Sequence, residues 1–326
     1  MDQISYFNKT VASKDMSGYY LLKSGEYAYN KSYSVGYDFG SVKRLDRYDM
    51  GALSTLYICF ALKKHDSDFI KAYFDSLKWY REIYMISAEG ARNHGLLNVP
   101  TDEFFDTKHY MPQDSAEQQK IADFMIVLER RIGAQQSLVD NLKKYKRGLL
   151  SNAFRNASSW RKKRLGEICC IRTGKLDANA MVNDGKYPFF TCARERYSID
   201  TYAFDTDALL ISGNGANVGY IHHYTGKFNA YQRTYVLDQF QEDINYVHVF
   251  LNRFLSSRID AEKKAGNTPY IVLSTLSDME IYIPDETTTK QLVDLFTQIE
   301  NRISYSATVL EYLSSQRRGL LQQLFI

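Results

Sequence analysis

Apolar residues recur at alternating steps of four and three in two stretches of the chain, 115–154 and 286–325. This 3.5-residue period is typical of a coiled-coil seam and predicts two long helices. The seam positions are Ile121, Met125, Leu128, Ile132, Val139, Leu142 and Leu149, and then Leu292, Phe296, Ile299, Ile303, Leu310, Leu313, Leu320 and Leu324. A single helix cannot bury so narrow a stripe, so we expect the two helices to pack against each other. The alternative is two separate surface helices of one globular domain.

The two stretches are copies of one another, displaced by 171 residues. Both contain the run Arg-Gly-Leu-Leu near their carboxyl ends, and even the polar residues that interrupt the seam correspond. Gln135 and Lys146 in the first copy match Ser306 and Arg317 in the second. Polar seam residues lower the stability of a coiled coil slightly and fix its register and partner. At about 1.5 Å per residue, each helix would form a rod of roughly 60 Å.

A globular segment precedes each helix. In both segments, short aromatic and β-branched runs bounded by glycine predict strands, and one helix is expected, at 68–81 in the first segment and at 245–260 in the second. The expected fold class is α+β, with two α/β-type domains joined by the two long helices. The expected division is 1–112 for the first globular domain, 113–156 for the first spacer helix, 157–284 for the second globular domain and 285–326 for the second spacer helix.

The two globular segments differ at their start. The second opens with residues 160–168, Trp-Arg-Lys-Lys-Arg-Leu-Gly-Glu-Ile, and these have no counterpart in the first. We therefore expect the first domain to lack an opening segment, so that this sequence begins part-way into a domain. If strands are absent, the first domain would expose a sheet edge.

Composition narrows the class of protein without identifying a function. The 326 residues are 44% hydrophobic and 24% charged, with a net charge of +3 and an isoelectric point near 8.4. This mild basicity permits a nucleic-acid partner without requiring one. The sequence shows no secretory signal, no apolar run of about 18 residues, and no Cys-x-x-Cys pair among its four cysteines. We expect a cytoplasmic protein with no membrane partner and no metal site.

Catalytic motifs are not found in the sequence. Gly90 and Gly95 have the glycine spacing of a P-loop, but Leu96 and Leu97 follow where Lys and Ser or Thr must bind phosphate and magnesium. The sequence contains neither Gly-x-Ser-x-Gly nor His-Glu-x-x-His. We therefore expect a binding protein rather than an enzyme.

A duplicated set of short segments carries a resemblance to a known family. The set comprises the opening at 160–168, the segment 27–34 with Gly36, the run 53–57, and the Arg-Gly-Leu-Leu runs at 147–150 and 318–321. The ordered set, within a plan of domain, helix, domain, helix, resembles the DNA-specificity subunit of type I restriction-modification systems, and the resemblance covers the whole chain. A family member would carry the opening segment in both halves, and here the first half lacks it.

The resemblance implies a DNA-binding subunit with no catalysis of its own. Two target-recognition domains would each read one half of a split site in double-stranded DNA, and two antiparallel helices would set their distance. These helices would dock two modification (methyltransferase) subunits and, in systems that have them, restriction or translocase subunits. S-adenosylmethionine, with ATP and Mg²⁺ where a restriction subunit is present, would belong to those partners. The alternative is a truncated or silent subunit that acts as a protein-interaction scaffold without full DNA readout.

Base readout needs forked donors and amides presented from loops, with Arg favoured for guanine and Asn or Gln for adenine. For any single candidate, a solvated surface charge is the favoured interpretation, whereas the group as a whole is expected to include true contacts. The candidate DNA-binding residues are Lys31, Tyr33, Lys43, Arg44, Arg92 and Asn93 in the first domain, and Lys175, Arg194, Arg196, Asn214, Asn217, Arg233 and Asn267 in the second.

Overall fold

The structure, a computed structural model, describes residues 15, 17–89, 95, 97–262 and 270–325. The chain divides into two compact units. The first unit consists of residues 1–137 together with 307–326, and the second consists of residues 138–306. Each unit therefore contains one domain of strands and helices and a part of each long helix.

The described helices are α1 (Ser67–Ser76), α2 (Tyr80–Ile86), α3 (Thr101–Asp106), α4 (Ser115–Ala153), α5 (Leu165–Ile168), α6 (Ile244–Glu262), α7 (Leu273–Ser277) and α8 (Glu286–Leu324). The described strands are β1 (Tyr20–Lys23), β2 (Tyr27–Asn30), β3 (Ser41–Arg44), β4 (Met50–Leu53), β5 (Tyr57–Phe60), β6 (Ala88–Glu89), β7 (Leu97–Asn98), β8 (Arg161–Arg164), β9 (Cys170–Thr173), β10 (Tyr187–Phe190), β11 (Tyr197–Ile199), β12 (Phe204–Ser212), β13 (Ile221–Ala230), β14 (Thr234–Asp238) and β15 (Glu280–Ile283).

The first unit is built from short antiparallel strands. Strand β2 lies between β3 and β5, with Tyr27 opposite Arg44 on one side and Phe60 on the other. Strands β1 and β4 form a separate pair, and so do β6 and β7. Because Tyr27 and Tyr29 of β2 are both fully buried, this strand lies at the centre of the unit.

Aromatic side chains fill the core of the first unit. The Tyr29 ring stacks on Phe104 at 5.0 Å between centroids and meets the edge of Trp79 at 5.5 Å. The buried polar tips are paired, since Tyr29 Oη donates to the Phe39 carbonyl at 2.9 Å and Trp79 Nε1 donates to the Phe74 carbonyl at 2.8 Å. A buried Tyr or Trp needs such a partner because an unpaired polar group in a core is costly.

The single helix predicted at 68–81 is wrong, because the structure has two helices there. Helix α1 ends at Ser76, because the following residue, Leu77, has a left-handed φ of 62°, and α2 begins at Tyr80. The break places Trp79 between the helices, where its ring is fully buried. The helix predicted at 245–260 is confirmed as α6.

The core of the first unit extends onto both long helices. Met125 of α4 and Leu321 of α8 belong to the same buried cluster, which also contains Phe325. Glu129, one turn after Met125, pairs with Arg317, one turn before Leu321. The two helices are therefore antiparallel within this unit.

The second unit contains a larger sheet, in the order β11-β10-β13-β12-β14-β9. All pairings are antiparallel except that of β10 with β13. Strand β8, in the opening segment, pairs with β15, so that Arg161 lies opposite Ile283 directly before α8. Helix α6 packs into the core with seven buried residues, including Phe250 and Leu255.

The long helices also close the core of the second unit. Phe154, one residue after α4, packs against the rings of Trp160 at 5.7 Å and Phe254 at 5.3 Å. Leu292 and Phe296 of α8 belong to the same cluster. Lys146 of α4 pairs with Glu300 of α8, so the helices are antiparallel here as well. The expected fold class, α+β with a pair of long antiparallel helices, is confirmed.

None of the predicted seam residues is exposed. Met125, Val139, Leu292, Phe296, Ile299 and Leu313 are buried, whereas Ile121, Leu128, Ile132, Leu142, Leu149, Ile303, Leu310, Leu320 and Leu324 are partly buried. Three further residues of the long helices are buried although they do not belong to the seam pattern, namely Ala122, Leu150 and Leu321. They face the globular domains, so the stripe is wider at the ends of the helices than a coiled coil alone would need.

The predicted domain limits place each border at the end of a long helix, whereas the compact units divide both helices near their middle. The difference arises because each globular domain buries apolar side chains of both helices in its own core. The four-part division by sequence stays a prediction.

Candidate nucleic-acid interface

Hydrogen bonds join two loops of the second unit that carry predicted DNA-binding residues. The loops are 191–196, after β10, and 213–220, between β12 and β13. Arg194 Nε donates to Asn217 Oδ1 at 3.3 Å, and Asn217 Nδ2 donates to the Cys192 carbonyl at 3.3 Å. The structure therefore brings Arg194 and Asn217 together, although the strands β11 and β12 lie between them in the sequence.

A third loop, 231–233 between β13 and β14, is held against the other two. The amide of Gly213 donates to the Arg233 carbonyl at 2.9 Å, and the Cys192 thiol contacts the same oxygen at 3.4 Å. A Cβ atom on residue 213 would lie 2.3 Å from that oxygen, so only glycine permits this approach. Arg233 is thus fixed by its backbone, and its side chain is exposed.

Two further candidates border the third loop. Lys175 lies between Gly174, whose amide donates to the Thr234 carbonyl at 3.2 Å, and Leu176, whose carbonyl accepts from the Gln232 amide at 2.9 Å. Asn214 forms an isolated bridge with Tyr270. Lys175, Arg194, Asn214, Asn217 and Arg233 therefore belong to one connected group of loops.

Two contacts hold the Arg194 side chain in place. Its guanidinium lies 5.3 Å from the centroid of the Tyr220 ring, and its Nε is bonded to Asn217. Within the described ranges, its terminal nitrogens make no ion pair. Two parallel donors from one arginine are what a guanine O6 and N7 edge accepts.

The remaining predicted residues of the second unit are Arg196 and Asn267. Arg196 is exposed two residues beyond Arg194. Burial lowers the pKa of His222; its contact with the Ala193 carbonyl opposes this shift, and the nearby Arg196 charge adds to it. Asn267 lies outside the described residues.

A cavity of about 310 Å³ opens beside the loops. Gly213, Gln232, Arg233, Tyr235, Tyr270 and Ile271 line it. The Tyr235 hydroxyl donates to the Ile271 carbonyl at 3.0 Å, which joins β14 to the segment before α7. The sequence-based prediction missed Gln232, Tyr235 and Tyr270. The register of β12 with β14 places Gln232 and Tyr235 near Asn214, and an isolated bridge with Asn214 places Tyr270 there. The one sequence signal that could have pointed to this cavity is the adjacent amide and guanidinium of Gln232 and Arg233.

In the first unit, two predicted residues lie in a loop and two are outside the described residues. The Tyr33 amide donates to the Gly95 carbonyl at 2.9 Å, and the Lys31 carbonyl accepts from the Leu97 amide at 3.0 Å. The Tyr33 side chain is exposed. Arg92 and Asn93 lie outside the described residues.

Lys43 and Arg44 are bound within the first unit. Lys43 Nζ pairs with Asp75 at 2.6 Å, and the Arg44 guanidinium pairs with Asp46 at 2.5 Å and with Asp68 at 2.6 Å. Burial alone would lower the pKa of Arg44, but its hydrogen bonds with these two carboxylates raise it. Because only 14% of the Arg44 side chain is exposed, this placement does not support base contact by Arg44.

Large apolar side chains are exposed on the long helices of both units. An exposed apolar side chain on a rod is a candidate for contact with another protein. In the first unit these residues are Phe124, Val127 and Tyr312, and in the second unit Leu138, Tyr145, Leu295 and Tyr305.

Neither a metal site nor a membrane span is found in the parts of the chain that the structure describes. No group of three or more His, Cys, Asp or Glu side chains there could hold a metal ion. None of the described helices combines the length and apolarity needed to cross a bilayer.

Comparisons with known proteins show which proteins this chain is similar to. Residues 157–313 match the family model of the type I restriction modification DNA specificity domain. A curated relative, the type I restriction enzyme EcoDI specificity subunit of Escherichia coli, is 37% identical over 166 residues, which are 50% of this chain and 37% of the relative. The chain therefore matches less than two thirds of that relative's length.

Solved structures share the fold of the whole chain. The S subunit of a type I restriction-modification system from M. genitalium has a TM-score of 0.63 at 18% identity, over 94% of this chain and 84% of that one. A structure described as showing complex assembly and conformational transition of the type I R-M system has a TM-score of 0.56 at 15% identity, over 94% and 83% of the two chains. At such identities the likeness concerns the fold alone.

Proposed function

We propose that this chain, whose residues 157–313 match the type I restriction modification DNA specificity domain, is the DNA-recognition subunit of a type I restriction-modification complex. The observation that carries the proposal is the connected group of loops that presents Lys175, Arg194, Asn214 and Arg233. Basic and amide side chains from separate loops supply both phosphate contacts and base-edge contacts. The chain itself is proposed to have no catalytic role.

Within this site, Arg194 is the residue best prepared to read a base. The Tyr220 ring and the Asn217 carboxamide restrict its guanidinium, so little conformational entropy remains to be lost on binding. The cavity beside Gln232 and Arg233 offers a second place where a base edge could enter. We propose that these residues read one half of a split site and that the first unit reads the other half.

The proposed partners are double-stranded DNA, two methyltransferase subunits and, where the system has them, restriction or translocase subunits. The exposed apolar residues on the long helices support docking, because each unit presents such residues on its own part of the rod. S-adenosylmethionine, and ATP with Mg²⁺ for restriction, would bind to those partners. A cytoplasmic location follows from access to chromosomal DNA.

The test is methylation mapping of DNA from cells that express this chain with its modification subunit. We expect a split motif with two defined halves and a fixed gap. In the Arg194→Ala variant, one position of one half should lose its base preference, at a cost of about 1–3 kcal/mol. Arg258→Ala is the matched control, because it removes one positive charge from an i,i+4 pair on α6, outside the loops.

Two outcomes would contradict the proposal. One is the absence of methylation in cells that contain the assembled complex. The other is a motif that Arg194→Ala and Arg258→Ala alter equally, because the loop group would then have no special part in recognition.

The placement of Lys43 and Arg44 favours a second candidate function, a scaffold whose first unit no longer reads DNA. In that case the motif would have one defined half. Binding to non-specific duplex DNA would also show a shallow salt dependence, since the slope follows the number of phosphate contacts.

A further inference from the structure

Two of the polar residues that interrupt the seam, Arg317 and Lys146, bind the globular domains. In the first unit, Arg317 Nη2 of α8 lies 2.8 Å from Glu129 Oε1 of α4 and 2.8 Å from Asp75 Oδ2, which belongs to α1 of the globular domain. Lys43 Nζ pairs with the other Asp75 oxygen at 2.6 Å. We name the group Arg317, Glu129, Asp75 and Lys43 the Arg317 network.

The second unit has an equivalent group at matching positions. Lys146, which corresponds to Arg317 in the repeat, pairs with Glu300, which corresponds to Glu129. Lys146 Nζ also donates to Asn252 Oδ1 of α6 at 3.2 Å and lies 4.7 Å from the Phe296 ring centroid. We name the group Lys146, Glu300 and Asn252 the Lys146 network. In both units, one cation therefore joins two rod helices and the recognition-domain helix.

These cations occupy a place that helix packing alone would fill better with an apolar residue. Arg317 is 25% exposed and Asp75 13% exposed, so both charges are largely removed from water. An ion pair of this kind contributes little net stability compared with a well-packed apolar pair. Its directional hydrogen bonds instead select one arrangement, because a guanidinium can meet two carboxylates in only a few geometries.

We propose that Arg317 and Lys146 are positioning residues that fix each recognition domain on the rod, and that they set the gap length which the protein accepts between the two half-sites. The inference rests on the proposed function. The apolar seam would define how the helices pack, and the networks would define where each domain is attached. Gln322 supports the attachment in the first unit, since its Nε2 donates to the Ser76 carbonyl at the end of α1 at 2.9 Å.

The experiment measures methylation of a pool of DNA duplexes. Each duplex carries the two half-sites of the wild-type motif, with gaps from two base pairs shorter to two longer than the wild-type gap. The enzyme is the complex of the full chain with its modification subunit. We expect Arg317→Met to reduce the preference for the wild-type gap by about tenfold, in the range of coupling between residues of one network. The base preference within each half-site should be unchanged.

The second unit supplies a conservative rescue. The double variant Arg317→Lys with Asp75→Asn gives the first unit the groups that the second unit uses, a lysine and an amide, and should retain the gap preference. Lys290→Met is the matched control on α8, because Lys290 pairs with Glu286 on the same exposed helix face. If Arg317→Met does not fold, Asp75→Leu removes the domain's part of the network without a change in either long helix.

Three outcomes separate the possibilities. Loss of gap preference in Arg317→Met and in Asp75→Leu, with retention in the rescue and in Lys290→Met, supports the inference. Wild-type gap preference in a folded Arg317→Met or Asp75→Leu protein overturns it and leaves the proposed function intact. A wild-type complex that methylates no split site overturns both.

Discussion

The two units attach to the long helices in the same way and differ in the sheet they carry. In the second unit, β9 covers the outer edge of β14 and β10 covers the edge of β13. In the described part of the first unit, β5 pairs only with β2, and β4 only with β1. The contacts with the long helices nevertheless correspond. The Arg317 network of the first unit matches the Lys146 network of the second, and the buried Phe325 matches the buried Phe154. The attachment to the rod is thus independent of how much sheet lies beyond it.

The smaller sheet of the first unit is accompanied by larger core side chains. Tyr27, Tyr29, Phe69, Phe74 and Trp79 are buried together, and ring contacts connect all of them except Phe69, whose ring contacts Phe325. The core of the second unit relies more on Leu, Ile and Val, most of which come from helices such as α6. Each large ring buries more apolar surface than an aliphatic side chain does, so fewer residues can close a core.

The largest expected difference between the units concerns the phenylalanine that follows each Arg-Gly-Leu-Leu run. Phe154 contacts four aromatic rings, whereas Phe325 contacts Phe69 at 5.4 Å and Tyr73 at 5.8 Å. Replacement by Ala should cost about 3–5 kcal/mol, with Phe154→Ala at the upper end. Hydrogen exchange in each unit, followed by mass spectrometry, measures the loss.

The matched controls for this pair are Phe154→Leu and Phe325→Leu, which keep most of the buried volume and should cost less than the alanine variants. Equal loss of protection in both units after Phe154→Ala would show that the two cores are not separate.

The next difference concerns the pH dependence that His248 gives to the stability of the second unit. Burial, the nearby His223 and the Lys146 charge lower the pKa of His248 to about 4. In the unfolded chain His248 binds a proton near pH 6.5, whereas in the folded unit it does not. The contribution of neutral His248 to folding stability is therefore complete above pH 6.5 and is lost as the pH falls toward 4. At pH 5 the second unit should have lost about 2 kcal/mol relative to pH 7.

Urea unfolding of wild type and His248→Gln at both pH values checks this expectation. Burial also lowers the pKa of His109 in the first unit, so the difference between the two proteins isolates His248. The same pH dependence in both proteins would show that His248 is protonated without cost to the fold.

The smallest expected effect concerns the N-caps of α1 in the first unit and α6 in the second. Asp66 Oδ1 accepts from the Phe69 amide at 2.8 Å, and Asp243 Oδ1 accepts from the amides of Asn245 at 2.7 Å and Tyr246 at 3.2 Å. Replacement of either Asp by Ala should cost about 1 kcal/mol, and replacement by Asn should be nearly neutral because the acceptor is kept. Thermal unfolding measures the stability of the Ala and Asn variants. An Asn variant as unstable as the Ala variant would exclude capping as the cause.

The sequence predicts the long helices well because a periodic apolar pattern is local information. Every seam residue from Ile121 to Leu324 is at least partly buried, and the observed helices Ser115–Ala153 and Glu286–Leu324 lie within the predicted stretches. The break at Leu77 could not be predicted, because the apolar pattern continues through it and the tertiary packing of Trp79 decides it.

The candidate interface is less accessible to sequence reasoning, because its residues meet only through strand register. The glycines at 213–220 identify that loop in the sequence. Only the structure shows that it contacts the loops at 191–196 and 231–233. Nothing local distinguishes Arg44 from Arg194 in the sequence. The carboxylates of Asp46 and Asp68 engage the first, whereas Tyr220 and Asn217 hold the second toward solvent.

The burial of Phe325 in the first unit has a consequence for synthesis on the ribosome. Gln322 contacts Ser76 across 246 residues of sequence, and Arg317 contacts Asp75 across 242. At about 5–20 residues per second, roughly 12–50 seconds of translation separate the two sides of such a contact. The second unit, whose residues are contiguous, can therefore complete its core while the core of the first unit still lacks residues 307–326. The segment made earliest is the last to be finished, and the nascent chain must keep the aromatic surface around Phe69 from aggregating in the meantime.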